Sequence, residues 1–204
     1  MSQLYSELHR PQFHFTAEAN WLNDPNGLVY CDGVWHLFFQ HNPSAPVWSN
    51  NMTWGHAISR DLMHWKQLEH ALHPDSLGTI FSGSAVVDHS DSAGFGPGTL
   101  LAFYTAAGSA ATPARPFTQC LAFSVDKGRQ WSKFSDNPVV DWIEGDNRDP
   151  KVIWHAASQH WVMALYLADD RYALLVSKNA QKWERTQELT LEADTECPDF
   201  FPLS

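Results

Sequence analysis

Three stretches of this chain end alike. Ser59-Arg60-Asp61-Leu62-Met63-His64-Trp65, Ser124-Val125-Asp126-Lys127-Gly128-Arg129-Gln130-Trp131 and Ser177-Lys178-Asn179-Ala180-Gln181-Lys182-Trp183 each run from a Ser through an Asp or Asn to a Trp six or seven residues after the Ser. The three Trp residues stand 66 and 52 residues apart. Ahead of each ending lie strand-like runs bounded by turn residues: 28–30, 34–41 and 53–59 before a fourth around 64–68; then 81–88, 100–105 and 120–124 before a turn and strand over 126–131; then 149–154, 161–167 and 173–177, closing at Trp183. Phe13 and Phe15 alternate in the lead-in and predict a short strand there. Four-stranded units repeated at this period predict an all-β chain built as a β-propeller. A plain antiparallel meander with chance Ser and Trp placement is the alternative. A further unit opens at Glu196-Cys197-Pro198-Asp199-Phe200-Phe201. Propellers have about 4–8 blades, and three blades with one strand do not close a ring. Residues 1–204 are therefore expected to be the N-terminal part of a longer propeller domain.

The first unit is entered through Asn20-Trp21-Leu22-Asn23-Asp24-Pro25-Asn26-Gly27-Leu28. Pro25 fixes φ and removes a donor, and Gly27 permits a left-handed turn. The stretch reads as a rigid turn feeding a strand, with Asp24 at the strand's mouth. In a propeller the first strand of each blade lines the central channel, and three such strands here open on Asp24, Asp149 and Glu196. If they run in the same sense, their starts meet at one mouth of the channel. Asp24 and Asp149 directly precede a Pro, and Glu196 lies two residues before Pro198. Carboxylates around a pocket suit glycosidic bond cleavage: one is the nucleophile, another a proton donor whose pKa is raised by burial and neighbouring negative charge. Acids at strand starts also have a purely structural use, accepting bonds from nearby backbone donors.

Charge narrows the choice of partner. Twenty-three Asp and Glu against 13 Lys and Arg give a formal net charge of -10, which argues against nucleic acid and an anionic membrane surface. A neutral small molecule or oligosaccharide remains. The 10 Trp residues offer apolar faces on which sugars stack, besides their use in a β core. Residues 1–10 hold no apolar leader segment, and no apolar run approaches the roughly 18 residues of a membrane span, so a cytoplasmic location is expected. Cys31, Cys120 and Cys197 are far apart, show no metal or redox spacing, and read as reduced thiols. The 11 His residues contain no zinc-ligand pattern such as H-E-x-x-H, and no metal or other cofactor is expected.

Trp21-Leu22-Asn23-Asp24-Pro25-Asn26-Gly27, Phe81-Ser82-Gly83-Ser84, Arg148-Asp149-Pro150 and Glu196-Cys197-Pro198-Asp199 stand in the order found in glycoside hydrolase family 32. The chain resembles that family, which holds invertases, sucrose-6-phosphate hydrolases, inulinases and levanases, over roughly residues 11–204. The resemblance implies a five-bladed propeller with a C-terminal β-sandwich, of which this chain would hold about three blades and the first strand of a fourth. It implies that Asp24 is the nucleophile, forming a covalent fructosyl-enzyme intermediate. Glu196 would be general acid, then general base toward water. Asp149 would bind fructose hydroxyls and stabilise the oxocarbenium-like transition state, with Arg148 beside it, and the outcome would be retention. Asn23, Gln40, Trp48, Phe81 and Ser82 match the family's fructose-pocket positions, offering amides and a hydroxyl for sugar hydroxyls and aromatic rings for walls. Trp54 is expected at the pocket wall as well. Cys197, beside the acid, either tunes its pKa or only packs.

The activity so implied is a retaining β-fructofuranosidase that removes terminal non-reducing β-D-fructosyl units from sucrose or from levan- and inulin-type fructans. Residues 141–147 resemble exo-acting fructanases more than sucrose-6-phosphate hydrolases. The missing leader points the other way, since polymeric fructan is usually outside the cell; imported sucrose or short oligosaccharides reconcile the two. Two other readings stay open. One is a fructosyltransferase on the same site, in which a sugar rather than water accepts the fructosyl group. The other is a truncated chain that at most binds carbohydrate.

Overall fold

The computed structural model describes residues 6–192 and 196–203. Its strands form three four-stranded antiparallel sheets. The first is β1 (Trp21–Cys31), β2 (Val34–Asn42), β3 (Thr53–Ser59) and β4 (Trp65–Leu72). The second is β5 (Thr79–Asp88), β6 (Thr99–Ala107), β7 (Thr118–Ser124) and β8 (Ser132–Lys133). The third is β9 (Arg148–His155), β10 (His160–Ala168), β11 (Arg171–Ser177) and β12 (Glu184–Thr190). Each sheet is a meander in which sequence neighbours pair, and the three are blades of a β-propeller. The first strands of the blades are adjacent, with β5 packed against both β1 and β9. No helix among the described residues is long and apolar enough to cross a membrane.

The repeated Ser–Asp/Asn–Trp ending is the turn between the third and fourth strands. Ser59 and Ser177 each donate to the acid or amide two residues on, Asp61 at 3.1 Å and Asn179 at 3.2 Å, and Ser124 donates to Asp126 at 2.8 Å. That oxygen then accepts two following backbone N–H groups, from Met63 and His64, from Arg129 and Gln130, and from Gln181 and Lys182. The chain reverses through a left-handed residue at the same place in each copy: Leu62 at φ 64°, Lys127 at 63° and Ala180 at 60°. The Trp closes the turn. Trp65 and Trp183 donate Nε1 to the carbonyls of Leu62 and Ala180, both at 3.0 Å. In the middle copy the extra residue breaks this bond, and Trp131 instead lies edge-on to Phe38 at 5.1 Å with its buried Nε1 unpaired among the described residues.

The core lies between the blades. All of β6 is buried, and its side chains alternate between two clusters, as a strand's period of two requires. Leu100, Ala102, Tyr104 and Ala106 join Val29, Phe38, Trp54 and Ile80 against the first blade. Leu101 and Phe103 join Val152, Trp161, Met163 and Leu165 against the third. At about 25 cal/mol per Å² of apolar surface, each large aliphatic or aromatic side chain among them contributes roughly 1.5–3 kcal/mol on burial, and each Ala less. Where β1 meets β5, Gly27 sits at φ +53°, and a Cβ there would lie 2.9 Å from both Ala85 Cβ and Phe38 Cδ2. Only glycine suits both the backbone and the space.

Four expectations need correction. Phe13 and Phe15 form no strand; Phe15 instead packs on Phe39, with ring centres 4.8 Å apart, and against Trp65. The Asn-Asp-Pro-Asn-Gly segment is not a turn ahead of β1 but lies within it, taken up as register shifts between Leu22 and Pro25 and between Asn26 and Val29. Pro25 cannot donate to the ladder, so an irregularity there is its natural site. The fourth strand of the second blade begins only at Ser132 and is short; beyond it the Asn137 side chain stands in for a strand, accepting from Leu121 N and donating to Leu121 O, both at 2.8 Å. Residues 196–203 open no fourth sheet: no second strand of that unit lies among the described residues to pair with them.

Candidate active site

Topology gathers the site. β1, β5 and β9 begin at one end of their sheets, and the β2–β3 and β6–β7 loops leave from that same end, since Trp21 pairs with Asn42 and Thr79 with Ala107. There the structure brings together Asp24, Asp149 and Glu196 around a pocket of about 320 Å³. Asn23, Gln40, Trp48, Phe81, Ser82 and Arg148 line it with them.

On β1, Asp24 accepts a hydrogen bond from Ser82 Oγ at 2.7 Å, and Asn23 Oδ1 accepts from Trp21 Nε1 at 2.7 Å. Gln40 is buried at the end of β2. Its Nε2 donates to the Ile80 carbonyl at 3.0 Å, leaving Oε1 without a partner among the described residues. That is an acceptor suited to a sugar hydroxyl, since buried polar atoms normally find partners. The aromatic wall is a run of edge-on rings, Trp48 to Phe81 at 6.3 Å and Phe81 to Phe117 at 5.5 Å.

Asp149 opens β9 in a left-handed conformation, φ 63°. Such strain costs of order 1–3 kcal/mol and persists only where surroundings enforce it. Here the enforcement is a buried polar chain. Asp149 N donates to Thr105 Oγ1 at 2.9 Å, and Thr105 Oγ1 donates to Gln119 Oε1 at 2.7 Å. Gln119 Nε2 then donates to the Asn147 carbonyl at 3.1 Å, and Asn147 Nδ2 to the Phe117 carbonyl at 3.1 Å. Thr105, Gln119 and Asn147 are fully buried. The Asp149 carboxylate accepts from Cys197 N at 3.1 Å and Sγ at 3.5 Å, and Arg148 Nε is 3.7 Å away. Burial, helped by the charge of Asp24, raises its pKa above the ordinary carboxylate value against the opposing Cys197 and Arg148 contacts.

Glu196 and Cys197 are also left-handed, at φ 64° and 34°. Arg148 Nη2 donates to Glu196 Oε1 at 2.7 Å, and Nη1 donates to the Asp146 carbonyl at 2.8 Å. The Glu196 side chain is 56% exposed. Arg148 thus stands between two acids. Among the described residues no group of His, Cys, Asp and Glu is arranged to hold a metal ion.

Two expected pocket residues lie elsewhere. Trp54 is fully buried in the core; its ring stacks on Phe38 at 5.5 Å, and its Nε1 donates to the Phe81 carbonyl at 3.0 Å. It supports the wall from behind rather than forming it. Cys197 faces the neighbouring channel beside Pro150 and bonds Asp149 rather than the Glu196 carboxyl; burial and the surrounding carboxylates push its thiol pKa up. The pocket also has two unforeseen lining residues, Phe117 and Asp146. The signal for Phe117 was its being the one aromatic in the 108–117 loop at this end of the sheet.

The family model "Glycosyl hydrolases family 32 N-terminal domain" matches residues 14–204. A levanase of Bacillus subtilis (strain 168) is 46% identical over 211 residues, which are 99% of this chain and 30% of that protein. An invertase of Wickerhamomyces anomalus is 37% identical over 213 residues, 97% of this chain and 38% of that protein. Among solved structures, exo-inulinase from Aspergillus awamori superposes with a TM-score of 0.82 at 35% identity, covering 92% of this chain and 41% of that one. β-Fructofuranosidase from Schwanniomyces occidentalis complexed with fructosyl-erythritol gives 0.81 at 38% identity, covering 89% and 36%. This chain thus spans less than half the length of each of these relatives.

Proposed function

We propose, from the premise that this chain belongs to glycosyl hydrolase family 32, that it carries the catalytic acids of a retaining β-fructofuranosidase acting on terminal non-reducing β-D-fructosyl units of sucrose or fructans. The observation that carries the reading is the convergence of Asp24, Asp149, Glu196 and Arg148 on one aromatic-walled pocket. The names of the relatives, levanase, invertase and exo-inulinase, support the same substrate class. We take residues 1–204 as the N-terminal part of a longer propeller domain.

In this mechanism Asp24 attacks the anomeric carbon of the fructosyl unit while Glu196 gives its proton to the departing oxygen. Glu196 then takes a proton from water, which displaces Asp24 and releases fructose with retained configuration. Asp149 holds fructose hydroxyls and, when ionised, stabilises the positive charge that develops on the ring. The test is fructose release from sucrose, inulin and levan by this chain beside Asp24→Asn and Glu196→Gln. Release by the parent, loss to background in Asp24→Asn and a fall of roughly 10²–10⁴-fold in Glu196→Gln are expected. Release at the parent rate by either variant, or none by the parent, overturns the proposal for this chain. The configuration of the first-formed product, read by NMR, decides retention.

A further inference from the structure

We infer that Tyr166 is a positioning residue of this site, acting through Arg148; the inference rests on the function proposed above. Arg148 is the only cation among the described residues that line the pocket. Its guanidinium must serve two acids at once, 2.7 Å from Glu196 Oε1 and 3.7 Å from Asp149 Oδ2. An arginine side chain is long and rich in rotamers, so something must hold it in place. The Asp146 carbonyl fixes its edge, accepting from Nη1 at 2.8 Å, and the Tyr166 ring supports its face. Arg148 Cζ lies 4.6 Å from the ring centre, within the range of a cation–π contact. Tyr166 is itself buried and packs edge-on against Tyr172 at 5.6 Å, and the Tyr172 hydroxyl donates to the Glu196 backbone carbonyl at 3.5 Å. The two rings thus support both members of the ion pair, one at the guanidinium and one at the backbone of the acid.

Strand register puts Tyr166 there. Opposite β9, the ladder of β10 runs regularly to Ala164, which pairs with Lys151, and then shifts. An unbroken ladder would set Tyr166 opposite Asp149; after the shift it stands opposite Arg148. A second shift, against β11, falls between Tyr166 and Ala168. Irregularities of this kind re-aim side chains beside active sites. No motif marks Tyr166, because the register shift that aims it is not written in the local alternation.

The experiment compares Tyr166→Phe and Tyr166→Leu with the parent chain, in fructose-release kinetics and in crystal structures. Phe keeps the ring face, so parent-like kcat and KM are expected. Leu removes it, and kcat should fall roughly 3–30-fold while KM stays near the parent value. In crystals of Tyr166→Leu the guanidinium should leave Glu196. The parent's own activity separately tests the assigned function, and the crystal comparison decides the role of Tyr166 even if the parent proves inactive. Parent-like kinetics in Tyr166→Leu, an equal loss in Tyr166→Phe, or an unchanged Arg148–Glu196 pair in Tyr166→Leu would each overturn the inference.

Discussion

Ser82 donates its hydroxyl proton to Asp24 Oδ2 at 2.7 Å, reaching from β5 to β1 across the junction of the first two blades. The hydroxyl's only proton is thereby committed, so toward a sugar Ser82 can only accept. Hydrogen bonds to charged groups contribute about 1.5–3 kcal/mol. Ser82→Ala is therefore expected to lower kcat roughly tenfold or more with little change in KM. A rise in KM alone would make Ser82 a ground-state sugar contact instead.

Asp149 burdens the fold that holds it. Its folded pKa is raised chiefly by burial, so the folded chain binds that proton more tightly than the unfolded chain does. Stability falls as pH climbs from the ordinary carboxylate range through the raised folded value, and the ionised group is a cost at pH 7. Asp149→Asn is expected to abolish turnover yet raise the melting temperature at pH 7 by about 2–5 °C. The gain should vanish in acid, where the parent carboxyl is itself neutral. An unchanged or lower melting temperature at pH 7 would contradict this account.

Thr105 tests the buried polar chain. Thr105→Val leaves the Asp149 N–H and Gln119 Oε1 without their partner, a penalty of about 1–3 kcal/mol for each group. Thermal melts should show that loss. Thr105→Ser, which keeps the hydroxyl, should restore both stability and fructose release.

Two histidine pairs predict acid sensitivity. His36 Nδ1 and His56 Nε2 lie 3.0 Å apart with stacked rings, and His41 Nδ1 and His70 Nε2 lie 2.7 Å apart. Burial above all, with the neighbouring imidazoles, lowers His56 to about 3 and His70 to about 4. The unfolded chain takes up these protons first. The imidazoles' contribution to stability is therefore complete above about pH 6.5 and is lost as pH falls toward those folded values, by roughly 1.4 kcal/mol per imidazole per pH unit. Melting temperatures measured from pH 7 down to pH 4 should fall, and less steeply in His70→Gln. A flat profile would show that the imidazoles do not titrate on unfolding.

How much of this was legible depended on how local the governing interactions are. The Ser59–Asp61–Trp65 turn and its copies showed in the sequence because their hydrogen bonds close within a few residues. Asp24 and Asp149 were legible because blade repetition brings the N-terminal ends of equivalent strands, β1 and β9, to one mouth, whereas Glu196 reaches the same pocket from a segment that forms no strand. Trp54 was misplaced because alternation tells which residues share a face of β3, not whether that face meets a pocket or the next blade. Phe117 comes from a loop without pattern, and Tyr166 from a register shift, which depends on pairing across strands. Residues 196–201 read as the opening of a further unit, but strand formation depends on pairing, and no partner strand for them lies among the described residues.

The two-sided burial of β6 limits how freely a blade can be treated as a module. The sequence repeats, and a repeat suggests units that can be duplicated, deleted or exchanged. Yet Leu101 and Phe103 are fitted to the third blade while Leu100, Ala102 and Tyr104 are fitted to the first, one residue apart on the same strand. A transplanted copy of the middle blade would carry two differently shaped faces, each matched to a neighbour it had left behind. Exchange of a blade within this architecture therefore has to carry along the facing surfaces of both neighbours, and the boundaries that the repeat suggests are not free joints.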